Sequence, residues 1–221
     1  MLINLFTYDC RHRKTVDILL ELIINGFKIG KVYAAPLIEL DLREDIIKLS
    51  ANNCYTIHTK DICDKFNIPY IVIPHKDVDA GELGIIGGAR ILPKEVIDKY
   101  SIGIINIHPG LLPENRGLDN IKWALYHDMP QGLTVHFIDE YVDRGRIILQ
   151  EEIPVFEDDK IYHIHQRLVS QQPKILREAL EKFEQTDIYA RGYPAVEKGT
   201  LFTQMTDQEE TDLITKCSNL F

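Results

Sequence analysis

The chain has 221 residues, with 25 Lys and Arg against 34 Asp and Glu, which gives a formal net charge of −9. Proteins that grip a polyanion over a wide surface use many Lys and Arg contacts to phosphates, so this balance excludes broad nucleic-acid binding. It permits a small anionic substrate held by one or two cations. Apolar residues make up 45% of the chain, which is enough for a substantial core.

The four cysteines include no CxxC pair, so we expect neither a zinc site nor a disulfide framework. No basic stretch precedes the short apolar segment at the N-terminus, and no apolar run approaches the length of a membrane span. We therefore expect a soluble cytoplasmic protein that carries free thiols and makes no contact with a membrane. We also expect that it binds no metal.

Short apolar runs alternate with helical patterns through the first half of the chain. We predict strands at residues 2–6, 31–35, 70–74, 83–87 and 102–108, and helices at residues 13–25, 42–50, 59–66 and 93–100. Strands this apolar are typical of a sheet that is covered on both faces. Alternating strands and helices indicate an α/β fold, Rossmann-like, with a mostly parallel twisted sheet and helices on both faces.

The pattern changes after residue 109. A helix is predicted at 119–128 with Asp119 as its N-cap, and two alternating segments at 133–140 and 146–155 could extend the sheet in antiparallel fashion. A long helix is predicted at 158–185, with Asp158 as its cap and a kink at Pro173.

The remaining residues are polar, and we predict that they are irregular. We expect one domain over residues 1–185 and a C-terminal extension over residues 186–221. The extension would pack on the domain or lie at a homodimer interface.

The predicted strand at 102–108 ends with two polar side chains, Asn106 and His108. Residues two apart on a strand point to the same face, and ligands of open parallel sheets bind beyond the carboxyl ends of the strands. An amide can stabilise a developing oxyanion while an imidazole moves a proton. A carboxylate would hold the imidazole tautomer, and the spacing leaves Asp143, Asp139 and Glu140 as candidates. The alternative is that both side chains only satisfy loop backbone groups.

Two ordered motifs point to a known family. NIHPGLLPENRG at 106–117 and QGLTVHFIDEYVDRGRIILQ at 131–150 resemble the formyltransferases that use N10-formyltetrahydrofolate, and ARILPKEVID at 89–98 resembles their R-I-L segment. The resemblance covers residues 70–155 well and the rest loosely. It implies a formyl-transferring enzyme whose donor is N10-formyltetrahydrofolate.

The resemblance also implies roles for individual residues. Asn106 and protonated His108 would stabilise the oxyanion formed when an amine attacks the formyl carbon. Asp143 would raise the pKa of His108 and assist proton transfer to the departing folate nitrogen. The folate would contact the following residues: Arg90, Ile91, Leu92, Asp139 and Val142.

Among the branches of this family, the chain most resembles the sugar N-formyltransferases, which act on nucleotide-linked amino sugars. The features shared with this branch are LPENRG at 112–117, Trp123 and GLTVH at 132–136. Two positions depart from it: Gly110 replaces a frequent Ser, and the loop at 141–147 reads YVDRGRI. The alternatives are transfer to another small amine such as glycinamide ribonucleotide, or a folate-binding protein without activity.

Four residues are candidates for the acceptor pocket on this resemblance: Asn115, Arg116, His136 and Trp123. Two of them have a competing interpretation. Arg116 could instead fix its loop through backbone carbonyls, and Trp123 could belong to the core, since aromatic residues on helices usually pack inward. We expect His136 to line the wall of the site or to support the Asp143 loop.

Overall fold

The computed structural model describes residues 1–37, 43–49, 57–184 and 199–221. The strands are β1 (Leu2–Tyr8), β2 (Lys28–Ala35), β3 (Tyr70–Val72), β4 (Gly81–Ile86), β5 (Tyr100–His108), β6 (Asn115–Gly117), β7 (Gly132–Phe137), β8 (Ile147–Glu152) and β9 (Thr200–Phe202). The helices are α1 (Arg13–Ile24), α2 (Thr59–Phe66), α3 (Lys94–Ile97), α4 (Asn120–Tyr126), α5 (Ile161–Glu184) and α6 (Asp207–Lys216).

Seven strands form one sheet in the order β3-β2-β1-β4-β5-β7-β8. The first five pair in parallel, whereas β7 pairs antiparallel with β5 and with β8. The mostly parallel sheet and its antiparallel extension are thus confirmed. The central position of β5 matters for function, because its carboxyl end lies between the parallel and antiparallel halves.

The two faces of the sheet are covered unequally. The larger core packs α1, α2, α4, α5 and α6 on one face, and it includes Ile105 and Ile107 of β5. The smaller core lies on the other face and contains Phe6, Ile104 and Val96 of α3. Since side chains alternate along β5, Asn106 and His108 point toward the side that only the smaller core covers. The carboxyl end of β5 is therefore open on that side.

Several predicted helices differ from the observed ones. Residues 43–49 form bends and not a helix, and the ends of the predicted 42–50 segment lie outside the described residues. The helix predicted at 93–100 is a single turn, α3, because Tyr100 already belongs to β5. Helix α5 begins at Ile161, so Asp158 is not its cap, and the helix runs through Pro173.

Asp119 precedes α4 but does not cap it. Its backbone is left-handed, with φ of 54°, and its carboxylate bonds elsewhere. It accepts a hydrogen bond from the backbone N–H of Met205 and lies 2.6 Å from the Lys122 ammonium. The side chain thus ties the C-terminal segment to α4.

The C-terminal segment from residue 199 is structured, so the prediction of an irregular tail was wrong for these residues. Its strand β9 pairs in parallel with β6 to form a second, two-stranded sheet. Helix α6 begins with a capping box between Thr206 and Glu209, and Leu213 packs into the larger core. Residues 185–198 lie outside the described part of the chain.

Three cysteines of the described chain, Cys10, Cys63 and Cys217, are free thiols, while Cys54 lies outside the described residues. Across the described ranges, no helix combines the length and the apolar character needed to cross a bilayer.

Candidate active site

Asn106 and His108 lie at the C-terminal end of β5, where they pair with His136 and Thr134 of β7. His108 is buried, with 3% of its surface exposed, whereas Asn106 is half-buried and reaches an open cleft. The predicted placement of both side chains on one face is therefore what the structure shows. A neighbouring strand on each side fixes their backbone.

The imidazole of His108 has two partners. Nε2 donates a hydrogen bond to the carbonyl oxygen of Asn115 at 2.7 Å, and Nδ1 lies 3.4 Å from Oδ2 of Asp143. Because a carbonyl can only accept, the short contact requires a proton on Nε2. Nδ1 then faces a carboxylate, which favours a second proton on the ring. The geometry therefore supports an imidazolium, and burial opposes it.

In the protein without ligand, the effect of burial on the pKa of His108 is larger than the effect of Asp143 and Asn115. It holds the pKa of His108 below its ordinary value, because the buried ring loses the water that would stabilise its charge. The carboxylate of Asp143 and the carbonyl of Asn115 act in the opposite direction, while the cations of Lys14 and Arg116 lower the pKa further. The expectation that Asp143 raises the pKa is correct in sign, but the net direction is down.

Asp143 lies in the loop between β7 and β8, in a backbone conformation that few residues adopt. Its φ is 49°, a region that Asn and Asp tolerate better than most residues and that often stores strain at functional sites. Its Oδ2 accepts a hydrogen bond from the backbone N–H of Gly117 at 3.0 Å, and 13% of its side chain is exposed. Asp139 does not contact His108; its Oδ1 accepts from the N–H of Tyr141.

The loop following the strand is equally fixed. The hydroxyl of Thr134 donates to the carbonyl of Gly110 and accepts from the N–H of Leu112. Gly110 permits this packing, since a Cβ there would lie 2.8 Å from the carbonyl oxygen of Asn115 and 3.0 Å from Nε2 of His108. The absence of a side chain at Gly110 therefore allows the loop to lie close to His108.

His136 is buried on β7 and contacts both other polar groups of the site. Its Nδ1 donates to the carbonyl of Phe137 at 2.8 Å, so Nε2 is free to accept from Nδ2 of Asn106 at 3.4 Å. Nε2 also lies 3.7 Å from Oδ1 of Asp143. Burial lowers the pKa of His136 to about 4, so the ring is neutral and acts as an acceptor. His136 thus supports the site from beneath and does not line the cleft.

A cleft with a volume of about 450 Å³ opens in front of Asn106, His108 and Asp143. One wall is the segment after β4, and the opposite wall is the loop after β7. All five residues expected to contact folate lie along it: Arg90, Ile91, Leu92, Asp139 and Val142. The cleft is lined mainly by apolar groups with a small number of polar side chains, which is typical of sites for small organic ligands.

The residues expected at the acceptor pocket lie behind the cleft and not along it. Asn115 is 2% exposed and bonds with Asn120, and the guanidinium of Arg116 donates twice to the carbonyl of Val142. Trp123 packs into the core, where its Nε1 donates to Thr203 and its ring stacks on Phe202. The structure therefore gives these side chains the supporting interactions that the alternative interpretation described.

One wall of the cleft was not predicted from the sequence. Leu201, Phe202 and Thr203 of the C-terminal segment line it beside Gly117 and Leu118. No local sequence pattern predicts this wall, because the pairing of β9 with β6 joins residues more than eighty positions apart. In the loop at 141–147, which departs from the related sequences, the guanidinium of Arg144 packs over the ring of Tyr141, with its carbon 4.5 Å from the ring centre.

A second cavity of about 260 Å³ adjoins the first and shares Arg90, Ile91 and Leu92 with it. It lies beyond the carboxyl ends of β1, β2 and β3, and its remaining lining includes Tyr8, His75 and Lys76. The ammonium of Lys14 donates a hydrogen bond to the carbonyl of Ile107 at 3.0 Å. Burial lowers the pKa of Lys14 to about 8.

Comparison with known proteins agrees with this geometry. A family model described as Formyl transferase matches residues 80–180. Methionyl-tRNA formyltransferase of Fusobacterium nucleatum is 32% identical over 117 residues, which cover 52% of this chain and 38% of the relative. The curated matches also include phosphoribosylglycinamide formyltransferases. The chain thus spans well under half the length of the curated relatives it matches.

Solved structures extend the likeness to nearly the whole chain. A 4-N formyltransferase from Francisella tularensis has a TM-score of 0.63 at 18% identity, covering 97% of this chain and 87% of that one. The formyltransferase PseJ from Anoxybacillus kamchatkensis, solved with UDP-4,6-dideoxy-4-formamido-L-AltNAc and tetrahydrofolate, has a TM-score of 0.58 at 20% identity, covering 100% and 97%. Both share the fold of this chain. The segment at 80–180 that matches the Formyl transferase model contains Asn106, His108 and Asp143.

Proposed function

We propose that this protein transfers a formyl group from N10-formyltetrahydrofolate to the amino group of a nucleotide-linked amino sugar. The observation that carries the proposal is the meeting of Asn106, His108 and Asp143 at the inner end of the cleft. An amide donor, an imidazole and a carboxylate converge there on one small volume. Acyl transfer to an amine needs these three groups, one for the oxyanion and two for the proton.

Asn106, His108 and Asp143 each have a separate role in the proposed reaction. The acceptor nitrogen forms a bond to the formyl carbon, and the amide N–H of Asn106 stabilises the oxygen that becomes negative. Negative charge at that oxygen raises the pKa of the nearby His108, so the ring takes up a proton from solvent and releases it when the carbonyl re-forms. While it is charged, the ring stabilises the oxyanion beside Asp143. Asp143 relays the proton lost by the attacking nitrogen to the folate nitrogen. The bond between that nitrogen and the formyl carbon breaks as the carbonyl re-forms.

The cleft fits a folate ring system in size and chemistry. Leu92 is buried at its wall while Ile91 is 75% exposed at its rim, so apolar surface is available to a flat ring and its attached chain. The structural neighbours include a sugar N-formyltransferase from Shewanella, and the formyltransferase PseJ was solved with a UDP-linked sugar and tetrahydrofolate, which supports the proposed donor and acceptor.

The second cavity is our candidate for the acceptor, since it adjoins the cleft and carries positive charge. Lys76 and Arg90 lie on its lining beside the rings of Tyr8 and His75. A nucleoside diphosphate would place its phosphates by the two cations and its base against the rings. The four side chains first expected at the acceptor would then support the site from behind. Residues 1–185 would form the catalytic domain, and the C-terminal extension would complete one wall of its cleft.

A transfer assay over a panel of amines tests the acceptor. Purified protein and N10-formyltetrahydrofolate would be incubated with UDP- and dTDP-linked amino sugars, glycinamide ribonucleotide and the free amino sugars. Acceptor mass would be followed. We expect a gain of one formyl group on a nucleotide-linked sugar and none on its free counterpart. Formylation of glycinamide ribonucleotide alone would contradict the proposed acceptor. If the second cavity holds the phosphates, Lys76→Ala should raise the acceptor KM and leave the donor KM unchanged, because Lys76 lines that cavity and not the cleft.

A further inference from the structure

Strand β6 is only three residues long, yet each of its residues holds a different part of the site. The carbonyl of Asn115 accepts from His108, the guanidinium of Arg116 donates to Val142, and the N–H of Gly117 donates to Asp143. We propose that β6 is the positioning strand of the His108–Asp143 pair and that Arg116 is its key positioning residue. For its kinetic consequences, this inference rests on the proposed function.

Arg116 acts on the backbone immediately before Asp143. Its Nε and Nη2 donate to the same carbonyl, that of Val142, at 3.1 and 2.7 Å. The residue is 8% exposed, so the pair of bonds forms away from water and holds the carbonyl in one orientation. The next residue, Asp143, has a left-handed backbone that its surroundings must maintain. The two bonds from Arg116 supply that constraint on one side and the Gly117 N–H on the other.

Strand β6 in turn depends on the C-terminal segment. A two-stranded sheet is marginally stable by itself, so β6 and β9 need anchoring. Trp123 anchors β9 by stacking on Phe202, with ring centres 4.8 Å apart, and by donating from Nε1 to the carbonyl of Thr203 at 2.8 Å. The C-terminal segment therefore serves the catalytic pair through β6, besides lining the cleft.

The chain of contacts predicts what a change at Arg116 does. Lys at this position keeps the positive charge but cannot donate two bonds in the planar geometry of a guanidinium. The Val142 carbonyl would gain freedom, and Asp143 would move away from Nδ1 of His108. The charged and titratable groups that face His108 are Asp143, Lys14, Arg116 and His136. Apart from the side chain at position 116 itself, whose positive charge is kept, only the position of Asp143 should change.

The test compares Arg116→Lys with the matched control Arg167→Lys. Arg167 also donates paired bonds, to both carboxylate oxygens of Asp159, but it lies away from the cleft. We expect Arg116→Lys to lower kcat by about tenfold to a hundredfold, as misplacement of reacting groups typically does, with KM for donor and acceptor within about twofold. In ¹⁵N-labelled protein, the titration midpoint of His108 should move to lower pH. Arg167→Lys should change neither quantity.

Two outcomes would overturn the inference. One is an Arg116→Lys protein that loses thermal stability but keeps the wild-type kcat and His108 titration. The other is a fall in kcat that is matched by the control. If Arg116→Lys does not fold, Trp123→Phe removes the bond to Thr203 while keeping a stacked ring, and it should shift the same quantities in the same direction by less. If the wild type transfers no formyl group, the proposed function fails, and the His108 titration still decides the positioning role.

Discussion

Nδ1 of His108 lies 3.4 Å from the carboxylate of Asp143 while Nε2 of the same ring donates to a carbonyl. The ring is thus held between two acceptors inside the protein, with 3% of its surface exposed. Burial keeps it from charging and both acceptors favour the charge. A site with this balance responds strongly to a new negative charge nearby, which is what an oxyanion supplies.

Asp143→Asn should remove the negative charge of this side chain while keeping its size and shape. Asn tolerates the left-handed backbone, and its side-chain oxygen can still accept from Gly117, so the fold should persist. Without the carboxylate, the pKa of His108 should fall further, since Asp143 raises it. We expect kcat to drop by about a hundredfold or more, and the pH above which kcat declines should move down. A pH profile of kcat identical to that of the wild type would contradict this role.

Asn106→Ala should remove the oxyanion donor with little effect on stability. The side chain is half-buried and its one described bond, to His136, is long at 3.4 Å. Loss of such a donor typically costs a factor of about a hundred to a thousand in kcat. Steady-state kinetics would be paired with the thermal unfolding midpoint. Asn25→Ala, at the exposed end of α1, is the control and should leave kcat unchanged.

Gly110→Ala should loosen the contact between His108 and Asn115. The new Cβ would lie 2.8 Å from the Asn115 carbonyl oxygen and 3.0 Å from Nε2 of His108, so one of them must move. Overpacking of this kind typically destabilises a protein by about 1–3 kcal/mol. Urea denaturation would measure the loss, and kcat should fall with it. An unchanged unfolding free energy together with a normal kcat would show that the loop adapts freely.

Lys122→Met should destabilise the protein through the buried charge cluster that holds the C-terminal segment. The ammonium lies 2.6 Å from Asp119 and 2.7 Å from Glu210, and neither Lys122 nor Glu210 is exposed. Removing one partner of a buried pair typically costs about 3 kcal/mol or more. Lys174→Met is the control, because its partner Glu151 is a surface group and such pairs are worth about 1 kcal/mol at most. Equal losses in urea denaturation would contradict the account.

Buried neutral histidines should make the protein sensitive to mild acid. Burial lowers the pKa of His136 and of His12 to about 4, below the ordinary value of 6.5. The unfolded chain therefore binds more protons than the folded protein in this interval, and stability is lost as pH falls from 6.5 toward 4. Urea midpoints across this interval should fall steadily. His12→Gln should reduce the slope, whereas His163→Gln, at an exposed position, should not.

Most of the sheet could be predicted because its strands are short apolar runs, and the end of β5 stood out because two polar residues interrupt such a run. Asn106 and His108 follow from this local pattern alone. The choice of Asp143 over Asp139 did not, since both lie in one loop and only the fold shows that Asp143 reaches the imidazole. The family resemblance supplied that choice.

The remaining features arise from contacts between distant parts of the chain. The strand β9 has no strong pattern of its own and exists by pairing with β6. The sequence left two interpretations of Arg116 open, a ligand contact or a contact to backbone carbonyls. In the structure it donates to the Val142 carbonyl, because the 141–147 loop lies next to it. The sequence predicts Asp119 as a helix cap, but its carboxylate accepts a hydrogen bond from the N–H of Met205 and pairs with the ammonium of Lys122. Local sequence patterns do not predict such contacts, because the partners are far apart along the chain.

The most direct test of the central claim is a rapid-mixing measurement of tetrahydrofolate release. Wild type, Asn106→Ala and Asp143→Asn would each be mixed with N10-formyltetrahydrofolate and an amino-sugar nucleotide, and formylated acceptor would be quantified in the same samples. The account predicts equal amounts of tetrahydrofolate and formylated acceptor from the wild type, and loss of both in each variant. Wild-type rates in both variants, or tetrahydrofolate release without formylated acceptor, would contradict it.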